Sequence, residues 1–166
     1  DIFCFLKDLN KEYRRQRQMC IRDRPWTDNS DAPGSHNGVD TRSDMLRNLS
    51  SPLDPYTGQP LPQQRRQKHI DHLFPLAAAW DLGAAQWPQR KRTSFANDIE
   101  RNLVVVSGDV NIDKGDSTPS EWLPPWKGSQ CWYAARYLTV AIYYQLAITE
   151  ADWHALSGAR RLCHRS

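Results

Sequence analysis

No apolar run among the 166 residues approaches the ~18 that a membrane-spanning helix needs, and none of the four cysteines (Cys4, Cys20, Cys131, Cys163) sits in a CxxC pair. The first absence leaves no membrane span to expect, and the second excludes a zinc knuckle. There is no internal repeat. Asp1–Leu6 is too short for a secretory signal, and the basic residues follow its apolar ones instead of preceding them. A dominant charge is missing as well. The 22 Lys and Arg against 19 Asp and Glu leave +3, but residues 1–24 alone hold seven basic and four acidic side chains, so the remaining 142 residues carry fifteen of each. Global charge therefore says nothing about an anionic partner.

What remains is the composition of one soluble globular domain with a modest core, 39% hydrophobic and 25% charged, with seven Trp and eleven Pro. Residues 1–24 do not read as the start of a domain, because RQMCIRDR is similar to a translated sequencing adapter. The segment is expected to be non-native or disordered, with a basic DNA-binding arm as the functional alternative. If it is foreign, the native N-terminus and any export signal are missing, and secretion stays open. Residues 25–39, rich in Pro, Gly, Ser, Asn and Asp, read as a disordered linker, and residues 40–166 as the domain.

Within that domain, Asp40–Leu49 has helical spacing with Asp40 or Thr41 as N-cap, and Asp54–Gly58 is a turn by composition. An extended stretch should end at the pair Asp71–His72. Short helices are expected over AAAWDLGAAQW and Pro88–Asn97, then a strand over Leu103–Ser107, four of whose residues are consecutive and apolar. Trp122 reads as a plug for the core. Ser129–Leu146 reads as the longest helix, with Cys131, Ala135, Leu138, Ile142 and Leu146 as its packing stripe and the tyrosines broadening it. A last helix starts at Thr149, with Asp152 three residues on, and runs to about Cys163. Cys131 and Cys163 could bridge if the protein is exported.

The polar residues that punctuate the two strands carry the chemistry. Asp71 is a hard oxygen donor of the kind Mg²⁺ or Ca²⁺ prefers, and the Asn111 carbonyl is a neutral second one. His72 has the acid–base range to take a proton from water, and Lys114 can meet a phosphate as a point charge. Taken singly, Asn102 is a strand-edge turn residue and Asn111 a helix N-cap. His69 lies two residues before Asp71, on the same strand face; it is a third ligand, a DNA contact or simply a surface histidine. Asp113 and Asp116 read mainly as solvent-facing. The basic clusters Arg65, Arg66, Lys68 and Arg90, Lys91, Arg92, Arg101 are phosphate contacts or solvated faces.

The order IDHLFPL, NLVVV, NIDKGD resembles the HNH endonucleases, in the form where the first position is Asp-His and the last His is Asn. The flanking LDPYTGQPL, AWDLGAAQW, FANDIERNL and CWYAARYLTVAIYYQLAIT are similar to the bacterial HNH family related to the C-terminal domain of GmrSD-type restriction endonucleases, over roughly Asp40–Cys163. The resemblance implies an α+β fold with a ββα-metal core, a long helical insertion between its two strands and C-terminal helices packed on it. It implies Asp71 and Asn111 as ligands of one Mg²⁺ or another divalent ion such as Mn²⁺ or Ca²⁺, and His72 as general base. Asn102 would pin the loop that carries the histidine, and Lys114 would lie near the phosphate. The implied activity is hydrolysis of nucleic acid, most readily DNA. A non-cleaving nucleic-acid-binding module and a Ca²⁺-stabilised secreted interaction domain are the alternatives.

Overall fold

The structure, a computed structural model, describes residues 26–164, so the readings of residues 1–24 lie outside it. Among the described residues the chain is α+β, with six α-helices and a two-stranded antiparallel sheet. Strand β1 (Lys68–His72) pairs with β2 (Leu103–Ser107), with Ile70 opposite Val105 and Asp71 opposite Val104. Strand alternation gives the sheet two different faces. On one, Ile70, Leu103 and Val105 cluster with Leu61 under Met45, Leu46 and Leu49. The other face delivers Val106, and Val104 against it, to the main core.

Helix α1 (Thr41–Arg47) supplies the cover for the first face and is capped by Asp40, whose carboxylate accepts the Ser43 N–H at 3.0 Å. Between the strands run α2 (Leu76–Asp81), a 3-10 turn (Ala84–Gln86) and α3 (Gln89–Ala96), a helical insertion as the sequence suggests. Helix α4 (Gly108–Lys114) follows β2 without a loop. Its N-cap position is Ser107, so Asn111 lies inside the helix instead of capping it. Gly115, at φ 54°, ends the helix in a conformation that side-chain-bearing residues rarely adopt.

Helix α5 (Lys127–Tyr144) buries the tyrosine side of the expected stripe, with Leu138 packed against the core and Leu146 buried just past its end, and turns part of the aliphatic side out. Ile142 is 77% exposed and Ala135 exposed, while Tyr133, Ala134, Tyr137, Val140, Ala141 and Tyr144 are buried. The tyrosines bring more apolar area per residue than the aliphatic stripe, and burial of that area decides which face turns inward. Tyr137 stacks on Phe74 at 4.5 Å between centroids, and Tyr133 and Trp122 both meet Tyr56 edge-on, which puts Trp122 at the core as expected. Helix α6 (Glu150–Arg160) begins at Thr149, whose hydroxyl accepts the Asp152 N–H, and a disulfide joins Cys131 to Cys163.

The stretch read as a linker is held to the domain in its described part, residues 26–39. Thr27 N–H donates to Asn97, Asp31 N–H to Ser94, and Arg90 pairs with the Asp31 carboxylate; Ser30 and Ala32 are buried. Its polar residues bond the helical insertion, so composition alone misjudged how much of this segment needs an apolar face to stay in place. Among the described residues no helix is long and apolar enough to cross a membrane.

Candidate active site

β1 and α4 meet along a seam that collects most of the sequence motif. The strand face carrying His69 and Asp71 turns toward α4, whose Asn111 and Lys114, three residues apart, face the same way. Asp71 is buried at 5% exposure, with Lys114 Nζ 3.0 Å from its Oδ1 and 2.9 Å from its Oδ2. The Tyr56 hydroxyl donates to Oδ2 at 2.5 Å. Burial pushes the Asp71 carboxyl above its usual range, and the Lys114 ammonium and the Tyr56 hydroxyl pull it back. Burial and the nearby Asp71 charge hold the Tyr56 hydroxyl well above its ordinary value, so it remains a donor.

Lys114 is not a surface cation. Its side chain is fully buried, and its third contact, at 2.9 Å, is the His72 carbonyl. An ammonium taken out of water needs such partners, and the carboxylate and carbonyl supply them. The lysine expected to meet a phosphate therefore holds the strand that carries Asp71 and His72. Asn111 lies at the half-buried end of the seam, its Nδ2 3.2 Å from His69 Nδ1. The His69 ring also rests on Gly108, where an added Cβ would lie 2.9 Å from Nε2. Asp71 and Asn111 thus share one seam, and His69, read from sequence as a third ligand, a DNA contact or a surface histidine, joins them there.

His72 faces the other way, as adjacent strand residues do. Its Nε2 lies 3.0 Å from the Ala96 carbonyl at the end of α3, and Trp26 stacks parallel to its ring at 5.8 Å between centroids. Asn102, fully buried, ties this arrangement together. Its Oδ1 accepts the Phe74 N–H at 2.9 Å, two residues beyond His72, and its Nδ2 donates to the Phe95 carbonyl at 3.3 Å, next to Ala96. One amide thereby clamps the strand exit bearing His72 to the helix end that holds the His72 ring. The structure thus brings Asp71, Lys114 and Asn111 to one side of β1 and His72 with Asn102 to the other.

Two further participants are Tyr56 and His69. In the sequence Tyr56 belongs to a turn, and nothing in DPYTG signals that its hydroxyl reaches Asp71 from 15 positions away. His69 did leave a signal, its spacing of two from Asp71 on a strand. Asp113, read as mainly solvent-facing, accepts the Trp122 indole N–H at 2.8 Å. Of the basic clusters, Arg65 and Arg66 are exposed and donate to Ser43 and Gln64, while Lys91, Arg92 and Arg101 are engaged by the Tyr144 carbonyl, Gln89 and Asp98.

A divalent ion would find suitable donors on the seam. A carboxylate oxygen from Asp71 and an amide oxygen from Asn111 are hard ligands, with an imidazole nitrogen from His69 beside them. Among the described residues no three His, Cys, Asp or Glu side chains converge, so the rest of such a coordination sphere falls to water and substrate oxygens. Any ion drawing on Asp71 must share it with the Lys114 ammonium or displace it.

The family described as "GmrSD restriction endonucleases, C-terminal domain" matches residues 6–159, a range that begins inside the segment read as non-native. The chain is also 40% identical over 95 residues to a protein of Arthroderma benhamiae described as an uncharacterized secreted protein. That alignment covers 57% of this chain and 47% of the relative, so the chain spans about half the length of the curated relative it matches. No solved structure matches.

Proposed function

Since the chain belongs to the family of GmrSD restriction endonuclease C-terminal domains, we propose that it is an endonuclease of HNH type, hydrolysing phosphodiester bonds of nucleic acid, DNA foremost. The observation that carries this reading is the Asn102 clamp, which fixes a histidine whose one ring nitrogen is occupied by a backbone carbonyl. A carbonyl oxygen can only accept, so Nε2 would donate to Ala96, and a neutral His72 ring would then carry its lone pair on Nδ1. That is the form a general base requires.

In the proposed reaction His72 Nδ1 accepts a proton from water, the resulting hydroxide oxygen bonds to phosphorus, and the bond from phosphorus to the 3′ oxygen breaks. The leaving oxygen takes a proton from solvent, giving 5′-phosphate and 3′-hydroxyl ends. Asp71 and Asn111 would hold a divalent ion, Mg²⁺ or Mn²⁺, which would supply Lewis-acid stabilisation to the phosphate oxygens; because these ligands and His72 leave β1 on opposite faces, the phosphate would have to bridge the end of the strand. Lys114 and Tyr56 act through Asp71, fixing its carboxylate, and Lys114 also fixes the His72 carbonyl. Arg65 and Arg66, exposed just ahead of β1, are placed to meet backbone phosphates without reading sequence. The Cys131–Cys163 disulfide and the secreted relative support export of the protein.

Supercoiled plasmid incubated with the protein and a panel of divalent ions, with EDTA as control, tests this reading. We expect ion-dependent nicking that Asp71→Asn and Asn111→Ala both abolish. Equal nicking in EDTA, or by the Asp71→Asn variant, overturns the assignment of the ion ligands. A gel shift without cleavage in every ion favours the non-cleaving binding module, and ion-dependent melting by Ca²⁺ without DNA affinity favours the interaction domain.

A further inference from the structure

On the open side of β2, away from β1, lies a cavity of about 710 Å³ bounded by α1, the Ser50–Pro55 segment and α5. That volume falls within the range of small-ligand sites. Trp126 and Trp132 stand on its walls with Arg136. Three features suggest that it is built to receive a flat ring.

The first is Trp126, which is 49% exposed and yet held in place. Its backbone N–H donates to the Tyr56 carbonyl at 3.1 Å. A Cβ on Gly58 would lie 2.9 Å from its ring and one on Gly128 2.6 Å, so the indole lies where two side chains are missing. A large apolar ring fixed this way without being buried is a stacking platform. The second is Arg136, whose Nε is buried and has no hydrogen-bond partner. Burial lowers its guanidinium from the usual value. The third is the sheet edge. The Leu103 and Ser107 N–H groups point away from β1, to the Asp98 carbonyl and the Asp54 carboxylate. By ladder alternation, Val105 between them also turns its N–H and C=O outward, into the cavity wall.

Charge selects among flat rings. Asp44, Asp54 and Glu100 line the cavity against the single Arg136, which disfavours phosphate inside it. A neutral heteroaromatic ring with hydrogen-bonding edges meets every condition. We propose that this cavity receives one unstacked nucleobase of the nucleic-acid substrate, lying on the Trp126 indole with the Arg136 guanidinium on the cavity wall facing a ring or carbonyl acceptor, while the phosphates stay outside. The choice of a nucleobase rests on the nuclease reading. Tyr56 connects the two places, since its hydroxyl holds Asp71 and its carbonyl holds Trp126.

The test uses the full 166-residue chain in EDTA, titrated against the fluorescent nucleoside 2-aminopurine deoxyriboside and against its 5′-monophosphate. We expect saturable quenching by the parent, binding weakened tenfold or more by Trp126→Ala and by Arg136→Met, and weaker binding of the monophosphate than of the nucleoside. Circular dichroism checks that each variant is folded, and the two substitutions are independent should one fail. No saturable binding by the parent, folded variants that bind like the parent, or a tighter monophosphate would overturn the proposal. Plasmid nicking measured alongside separates the two readings. Nicking without nucleoside binding removes the cavity proposal alone, whereas nucleoside binding without nicking supports the cavity and counts against the nuclease reading alone.

Discussion

Replacing Lys114 with Met leaves the shape of the seam nearly unchanged and removes its only buried cation. The ammonium makes three contacts of 2.9–3.0 Å, two to Asp71 and one to the His72 carbonyl. Without it, a carboxylate at 5% exposure keeps the Tyr56 hydroxyl and loses its counter-charge. Breaking a buried pair from one side costs about 3–5 kcal/mol. For a chain of this size that lowers Tm by about 6–20 °C. The loss has a definite pH sign. Burial already raises the Asp71 carboxyl. Without the lysine it rises further, so the penalty is full above the folded carboxyl pKa and fades as acid neutralises the group toward its unfolded value. A second arm adds Mg²⁺ or Mn²⁺. If the carboxylate can hold an ion, the ion replaces the missing charge and restores about 2.7 kcal/mol at a hundredfold excess over its Kd. Thermal unfolding by circular dichroism in EDTA and in each ion reads both effects. A variant that melts with the parent in EDTA at neutral pH would refute the buried pair, and one that responds to neither ion would refute the proposed ligand role of Asp71.

Asn102→Ala strands the Phe74 N–H and the Phe95 carbonyl at a fully buried position, and we expect a loss of about 2–5 kcal/mol in urea unfolding. Reducing the Cys131–Cys163 bridge, which closes a separation of 32 residues, should cost about 3–4 kcal/mol, read as a lowered melting temperature in dithiothreitol. Burial pushes the Asp152 carboxyl up, but hydrogen bonds from Thr118, Thr149 and Ser120 outweigh it and hold the group below its usual range. Its contribution is complete above the unfolded carboxylate pKa and is lost as pH falls through the lower folded value. The Asp152→Asn variant should therefore differ from the parent at neutral pH and converge with it in acid.

The strand Leu103–Ser107, the helical insertion and the Thr149 cap are legible in the sequence because each is set by neighbours within a few residues. Strand alternation also foretells that His69 shares a face with Asp71, and the same rule places His72 opposite. The buried face of α5 is legible only in part: the tyrosines and Leu146 pack as the spacing suggests, but Ala135 and Ile142 turn outward because packing against Tyr56 and Phe74 centres the buried face on the tyrosines. Lys114 on Asp71 spans 43 positions and Tyr56 on Asp71 spans 15, and no local pattern encodes such pairings. The order of residues 26–39 is hidden for a related reason. Their partners, Asn97, Ser94 and Arg90, are polar and distant in sequence, while composition registers only the lack of apolar residues.

The most direct measurement of the central claim is the single-turnover rate of plasmid nicking by His72→Ala beside the parent, in Mg²⁺ and in Mn²⁺. Removal of a general base should slow the reaction by about 10²–10⁴-fold while the variant binds DNA as the parent does. Nicking at the parental rate would mean that the proton leaves water by another route, and that the histidine held by Ala96 and Asn102 serves only the fold.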